Sequence, residues 1–212
     1  MEIHKILKVI IKSFRTKRMT KFLKIIDPQP DEKILDIGGT VFNWKLINCK
    51  NEITLLNLTV PKVVDKVPSN VSFVIGDGTH LKYSDKEYDI CFSNSVIEHV
   101  GSFENQRMFA QEICRVGKRI WLQTPAKSFF FEPHYITPFL HWLPKPCQKK
   151  LLRNFSIWGL ITRPTQQYID DFVEQTRLLT YKELKGIFPS STIMKERFLF
   201  MTKSYLIIGN AV

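Results

Sequence analysis

Two rhythms of apolar and polar residues run along the chain. Residues 3–14 place Ile3, Ile6, Leu7, Ile10, Ile11 and Phe14 at helical spacing with lysines between them, which predicts an amphipathic helix. A second short helix is expected over Lys17–Ile26, ending before Asp27-Pro28-Gln29-Pro30. The rhythm then changes. Lys33-Ile34-Leu35-Asp36-Ile37 reads as a compact apolar strand closed by Gly38-Gly39, with a helix expected after it. Ile53–Leu58 and Val71–Ile75 read as buried strands, Tyr88–Ser93 as another, and Arg119–Thr124 as a fifth. Between the last two, Phe103–Val116 has a helical pattern with Ser102 as N-cap. Strands alternating with helical segments predict a parallel sheet covered by helices on both faces.

After Pro125 the alternation stops. Residues 126–162 collect Phe129, Phe130, Phe131, Tyr135, Phe139, Trp142, Phe155 and Trp158 among several prolines. No Gly/Ser-rich linker flanks them, so the stretch is expected to be a cap inserted within the domain. Its aromatics are either the core of that cap or rings that stack on a sugar face. Helical patterns return at Gln166–Leu178 and at Tyr181–Phe188, the latter capped by Thr180. Ile193–Phe200 and Ser204–Ile208 are expected to form an antiparallel pair joined by Met201-Thr202-Lys203.

Composition narrows the class. The 212 residues suit one domain with an appendage, and 44% hydrophobic with 24% charged residues is ordinary for a globular protein. The four cysteines form no C-x-x-C pair and have no histidine at zinc-finger spacing, which points to a reduced, cytosolic setting with no metal ligands expected. The longest stretch free of Asp, Glu, Lys and Arg is Pro133–Pro144, 12 residues, against about 20 needed to span a bilayer. No signal-peptide core is visible in residues 3–14.

Charge divides the chain. Of the net +11, residues 1–26 hold +7, from eight Lys/Arg against Glu2 alone, which leaves +4 for the rest. The expected organisation is a basic amphipathic helical segment over 1–26 and one domain over 27–212, with the cap at 126–162. Three readings of the arm stay open. It packs on the domain with solvated lysines, or residues 3–24 lie on an anionic membrane surface, or it binds nucleic acid. The last is disfavoured, because no recognition motif or stacking pattern accompanies the arm.

The glycine turn carries the candidate chemistry. Asp36-Ile37-Gly38-Gly39-Thr40 follows a strand and precedes a helix, where doubly wound sheets bind ligands. It is not a dinucleotide fingerprint, since Thr40 and Asn43 stand where G-x-G-x-x-G needs glycine. A carboxylate beside the glycines suits a cationic ligand.

Ile34-Leu35-Asp36-Ile37-Gly38-Gly39 resembles the first motif of the class I S-adenosylmethionine-dependent methyltransferases, with Thr40 where the family usually has glycine. Ile53–Leu58 is similar to the family's second strand, whose terminal ribose-binding acid is Asn57 here. Gly76-Asp77-Gly78-Thr79 matches the segment where an acid contacts the adenine amino group. Tyr88–Val100, with its Glu98-His99 pair, is similar to the fourth strand and loop of the small-molecule branch.

The resemblance covers about residues 18–209. It implies a doubly wound, mostly parallel seven-stranded sheet of Rossmann-like type with an antiparallel last strand and the aromatic cap. The implied cofactor is S-adenosyl-L-methionine, bound by Asp36, Gly38, Gly39, Thr40, Asn57, Asp77, Gly78, Thr79 and Asn94. Methyl transfer runs by in-line displacement, and a hydroxyl acceptor needs a proton acceptor. His99, His134 and Glu132 are the candidates, because Glu98-His99 follows the fourth strand and Glu132-Pro133-His134 lies in the cap. The cap and the segment 178–204 also resemble a subgroup often encoded with glycan-assembly proteins, which implies a saccharide acceptor, lipid-linked or free, or another small molecule. The expected place is the cytoplasm, with a peripheral position on the inner face of the membrane left open. Two alternatives remain: a degenerate methyltransferase fold kept for binding, and a nicotinamide-dependent oxidoreductase, which fits the fold but not the glycine spacing.

Overall fold

The computed structural model describes residues 2–59 and 67–210, and of residues 2–12 the backbone alone. The apolar stripe expected over Ile3–Ile11 therefore lies outside the described side chains.

The chain opens with one continuous helix, α1 (Glu2–Ile26), instead of the two expected. No proline or glycine interrupts residues 2–26, so nothing breaks the hydrogen-bond ladder at Arg15–Arg18. The helix stops at Asp27, which takes a positive φ of 48° and donates its N–H to the Leu23 carbonyl, with Pro28 next. Then follow β1 (Lys33–Ile37), the short α2 (Val41–Trp44), β2 (Glu52–Asn57), β3 (Val71–Ile75) and β4 (Tyr88–Asn94). Next come α3 (Phe103–Val116) and β5 (Gly117–Pro125). The cap holds a two-stranded hairpin, β6 (Phe131–Glu132) with β7 (Thr137–Pro138), and two helices, α4 (Lys145–Phe155) and α5 (Ile157–Thr162). The chain closes with α6 (Gln166–Gln175), α7 (Tyr181–Ile187), β8 (Thr192–Phe198) and β9 (Met201–Asn210).

The main sheet has seven strands in the order β3-β2-β1-β4-β5-β9-β8, the doubly wound order expected. Its crossover from β1 to both β2 and β4 is parallel, and β8 pairs antiparallel with β9. Ser102 caps α3 as expected, its hydroxyl accepting from the Asn105 N–H at 3.1 Å. Thr180 and Glu183 form a full capping box on α7.

Three expectations need correction. Val71–Ile75 is the edge strand, and of its residues only Val71 is buried. An apolar run at an edge has one flank and part of its face in water, which periodicity does not reveal. The final turn falls at Leu199-Phe200, two residues earlier than expected, where Leu199 takes φ 53°. Helix α6 ends at Gln175 rather than Leu178, because Arg177 turns its N–H onto the Glu98 carbonyl at 2.7 Å.

The chain forms two compact units. The first is Met1–Asn94 with Glu112–Trp121 and Gly209–Val212; the second is Ser95–Gln111 with Leu122–Ile208. The first is centred on Phe22 of α1, whose ring meets Trp44, Phe92 and Trp121 edge-on at centroid distances of 5.8, 5.1 and 5.6 Å. Burying such a ring contributes about 1.5–3 kcal/mol, so the C-terminal half of the basic helix belongs to this core. The second unit has its own core in the cap and the helix after it: Tyr135, Leu140, Leu152, Ile169 and Val173, with Trp158 and Phe172 packed against them. Among the described residues no helix is long and apolar enough to cross a membrane.

Candidate functional site

In the first unit, β1 delivers Asp36 to the turn. β1 pairs with β2 and β4 on either side, and the Asp36 side chain is completely buried. The Trp44 indole donates to Asp36 Oδ2 at 2.8 Å, while Oδ1 makes no hydrogen bond among the described residues. Burial pushes the Asp36 carboxyl up to about 7, against the lowering effect of the indole bond.

The two glycines serve different needs. Gly38 takes φ 74°, the left-handed region, and its N–H bonds the Leu56 carbonyl at 2.7 Å. Gly39 gives room, since a Cβ there would collide with the Asp36 carboxylate. Thr40 precedes α2 in extended conformation, and its hydroxyl makes no capping bond.

The remaining expected cofactor residues stand in the same unit. Asn57, at the end of β2, donates its amide to the Gly39 carbonyl at 3.0 Å, so it braces the turn. Asp77 folds the loop Gly76–Thr79: its Oδ1 accepts from the Thr79 N–H and hydroxyl, both at 2.8 Å. Gly78 lies inside that loop. Asn94, at the end of β4, accepts from Arg18 of α1 at 2.9 Å. Trp44 and Arg18 were not anticipated, because each reaches its partner from another element and leaves no motif.

A cofactor with a cationic amine and a sulfonium fits this set. A fully buried carboxylate oxygen without a partner costs free energy, and an ammonium hydrogen bond would satisfy it. The glycine that clears the carboxylate keeps the turn open to such a group.

In the second unit, a one-turn 3-10 helix Ile97–His99 presents Glu98 and His99. Side chains from several segments hold it. Gln106 of α3 donates to the carbonyls of Ile97 and Arg177 at 2.9 and 2.8 Å, and Arg177 returns a bond to Gln106 at 2.8 Å. Arg177 also pairs with Glu183 of the α7 capping box.

Glu98 is fully buried. Its Oε2 accepts from the Thr124 hydroxyl at 2.9 Å, and its Oε1 makes no hydrogen bond among the described residues. Burial pushes its carboxyl up to about 7, with the charge of His134 pulling the other way. His134, in the turn between β6 and β7, faces His99 with the two Nε2 atoms 3.1 Å apart. Its Nδ1 lies 2.6 Å from Glu132 Oε1, while Glu132 Oε2 accepts the Tyr135 N–H at 2.7 Å.

Burial opposes a charge on His134, yet the Glu132 bond and charge, with Glu98 beyond, leave it above its ordinary value. Burial and the charge of His134 drop His99 to about 4, so His99 is neutral near pH 7. Thus the structure brings together His99, His134 and Glu132, which the sequence offered as candidates from two separate segments. Glu132 orients rather than transfers, because both its oxygens are engaged. Glu98 is the member that the sequence reading underweighted, although its pairing with His99 was the signal. Glu98, His99 and His134 also form a group that could hold a metal ion, their ligand atoms all within 4.8 Å of one another, where no metal ligands were expected.

Comparison with known proteins bears on the domain and the fold. The family described as a methyltransferase domain matches residues 38–119. No curated protein matches the chain. Among solved structures, an S-adenosylmethionine-dependent methyltransferase of Methanosarcina mazei is 16% identical, with TM-score 0.50, covering 85% of this chain and 92% of that one. The PH0226 protein of Pyrococcus horikoshii is 15% identical with TM-score 0.54, covering 91% and 87%. A Rhodobacter sphaeroides protein named as a zinc-dependent alcohol dehydrogenase is 12% identical with TM-score 0.59, covering 91% and 88%. At these identities the likeness is one of fold. Residues 38–119 thus match a methyltransferase domain, and the chain shares its fold with the S-adenosylmethionine-dependent methyltransferase of Methanosarcina mazei.

Proposed function

We propose that the chain methylates a hydroxyl group of a small-molecule or saccharide acceptor. The observation that carries this reading is the His134–Glu132 pair. When bound, S-adenosylmethionine supplies an activated methyl group, so nitrogen and sulfur acceptors need little beyond positioning. A hydroxyl needs its proton taken as it attacks. Glu132 at Nδ1 assigns His134 the tautomer with its lone pair on Nε2, and Tyr135 fixes Glu132 in turn. That is a base with an orienting group behind it. His99, neutral, faces the same nitrogen. On the cofactor side, Asp36 takes the cationic end, Gly38 and Gly39 shape the turn that Asn57 braces, and the loop of Asp77, Gly78 and Thr79 takes the adenine. Thr40 and Asn94 flank the set.

Support for a saccharide comes from the cap. Phe139 and Trp142 are 54% and 48% exposed, with rings 5.2 Å apart, and exposed aromatics of this kind stack on sugar faces. A lipid-linked acceptor would also give the basic helix over residues 3–24 a use at an anionic membrane. A second reading, a protein kept for binding alone, is favoured by Asn57, whose amide stands where the resemblance implies an acid.

Thermal unfolding with S-adenosylhomocysteine and with NADH, followed by methyl-label transfer to panels of nucleotide sugars and lipid-linked saccharides, tests these readings. Stabilisation by S-adenosylhomocysteine and labelling of a hydroxyl are expected. Stabilisation by NADH instead would overturn the cofactor assignment, and binding with no turnover on any acceptor would favour the second reading.

A further inference from the structure

The cluster around Glu98 has features that proton transfer leaves unused. The Glu98 Oε1 is buried and makes no hydrogen bond among the described residues, although a carboxylate oxygen out of water normally finds a donor. The two histidine nitrogens lie at hydrogen-bond distance, but the rings meet off the straight line of an ideal bond. A straight N–H···N bond would hold the ring centroids roughly 5 Å or more apart. They lie 4.6 Å apart with the rings at 85°, so the rings lean off that line. Each nitrogen has a lone pair to offer once the other ring nitrogen carries the proton, and Glu132 fixes that state for His134.

We propose that Glu98, His99 and His134 are the ligands of a single divalent transition-metal ion of the zinc or cobalt class, with Glu132 as the supporting carboxylate behind His134. Two imidazoles and a carboxylate are the ligand set such borderline ions take. An ion about 2.0–2.1 Å from each Nε2 would, at their 3.1 Å separation, see them at an angle of roughly 95–100°, within the usual range for such centres. Rotation of the Glu98 carboxylate brings in the third ligand, whose atom already lies within 4.8 Å of the other two. The Glu132–His134 contact is the outer-shell carboxylate that commonly orients a metal-bound histidine. Three protein ligands leave a further position open, as in catalytic rather than structural sites. An acceptor hydroxyl is the group that would use it. The inference goes beyond the methyl-transfer reading and does not require it: an ion on His134 Nε2 takes the lone pair that proton transfer would use, so His134 acts as base only in the metal-free chain, and ion uptake is measured without an acceptor.

The test uses the full chain, stripped with a chelator, dialysed, and titrated with Zn2+ by equilibrium dialysis and with Co2+ by visible absorption. One ion per chain is expected, with the intense d–d bands of low-coordinate cobalt. Glu132→Gln should weaken uptake about 10- to 100-fold, and His99→Ala, His134→Ala and Glu98→Gln should each abolish it. Stabilisation by S-adenosylhomocysteine, measured on the same samples, shows that each variant is folded. Absence of stoichiometric uptake by the wild-type chain overturns the proposal. Uptake unchanged in the histidine variants also overturns it, since the ion would then sit on other ligands, such as His80 or the cysteines. If uptake occurs but S-adenosylhomocysteine stabilises nothing, the metal site stands and the cofactor assignment fails.

Discussion

Asp36 in the first unit and Glu98 in the second are buried in nearly the same way, and the two differ in the company they keep. Asp36 and Glu98 are both fully buried, and burial lifts both to about 7. Each has one oxygen held by a neutral donor, Trp44 at 2.8 Å and Thr124 at 2.9 Å, and one oxygen without a hydrogen bond among the described residues. Around Asp36 the companions are indole, glycine and backbone. Around Glu98 they are two imidazoles and a second carboxylate. A buried carboxylate in neutral company suits a cation brought by a ligand. One in the company of histidines can exchange protons, or share an ion, with its own neighbours. On the proposed reading, the same burial cost serves binding in one unit and reactivity in the other.

The sharpest way to break this comparison is on the second unit. His134→Ala should cut methyl transfer by about 10²- to 10⁴-fold on whichever acceptor the wild-type chain turns over, while stabilisation by S-adenosylhomocysteine is retained. An unchanged rate would remove His134 from the reaction, and a lost cofactor response would show that the two units are not separable in this way.

A smaller effect is expected on the first unit. Asp36→Asn should weaken S-adenosylmethionine binding about 10- to 100-fold in calorimetry, the size of one hydrogen bond to a charged group. The same variant tests the sign of the pH dependence. Asp36 has a folded pKa raised from 3.8 to about 7, so between those values the folded chain binds more protons than the unfolded one. Its contribution to stability is present at low pH and is lost as pH rises through about 7. Chemical denaturation of the ligand-free chain across that window should show this fall, and Asp36→Asn should flatten part of it. An unaltered slope would mean that Asp36 is not the buried acid described.

The smallest effect on chemistry is expected from the N-terminal helix. Met19, Phe22 and Ile26 are buried, whereas Phe14 is 40% exposed. Removing residues 1–14 should leave cofactor stabilisation in place and lower cosedimentation with anionic vesicles. Equal vesicle binding by the shortened chain would end the membrane reading of the arm.

What the sequence disclosed depended on how local each feature is. The turn Asp36–Thr40 was readable because strand, acid and glycines are contiguous and the resemblance gave them order. A parallel sheet was readable from the alternation of strands and helices, and its doubly wound, seven-stranded arrangement came from the resemblance. The edge position of Val71–Ile75 was hidden, since an apolar run looks alike in the middle of a sheet and at its rim. Residues of the second site were readable as types, through Glu98-His99 and Glu132-Pro133-His134. Their union was not, because Thr124, Gln106 and Arg177 arrive from separate elements and hydrogen bonds of this kind leave no periodicity. The early end of α6 has the same origin: Arg177 gives up helix to hold Glu98. Functional placement overrode local preference there.

The space taken from Gly39 by the Asp36 carboxylate has a consequence for how this turn can change over generations. The two positions are locked in sequence. Any side chain at 39 must wait until 36 has become smaller, and a smaller residue at 36 removes the acid that meets the cofactor. On the proposed cofactor reading, a path of single substitutions away from Asp36-Ile37-Gly38-Gly39 passes through loss of binding first, which makes the turn a barrier to drift.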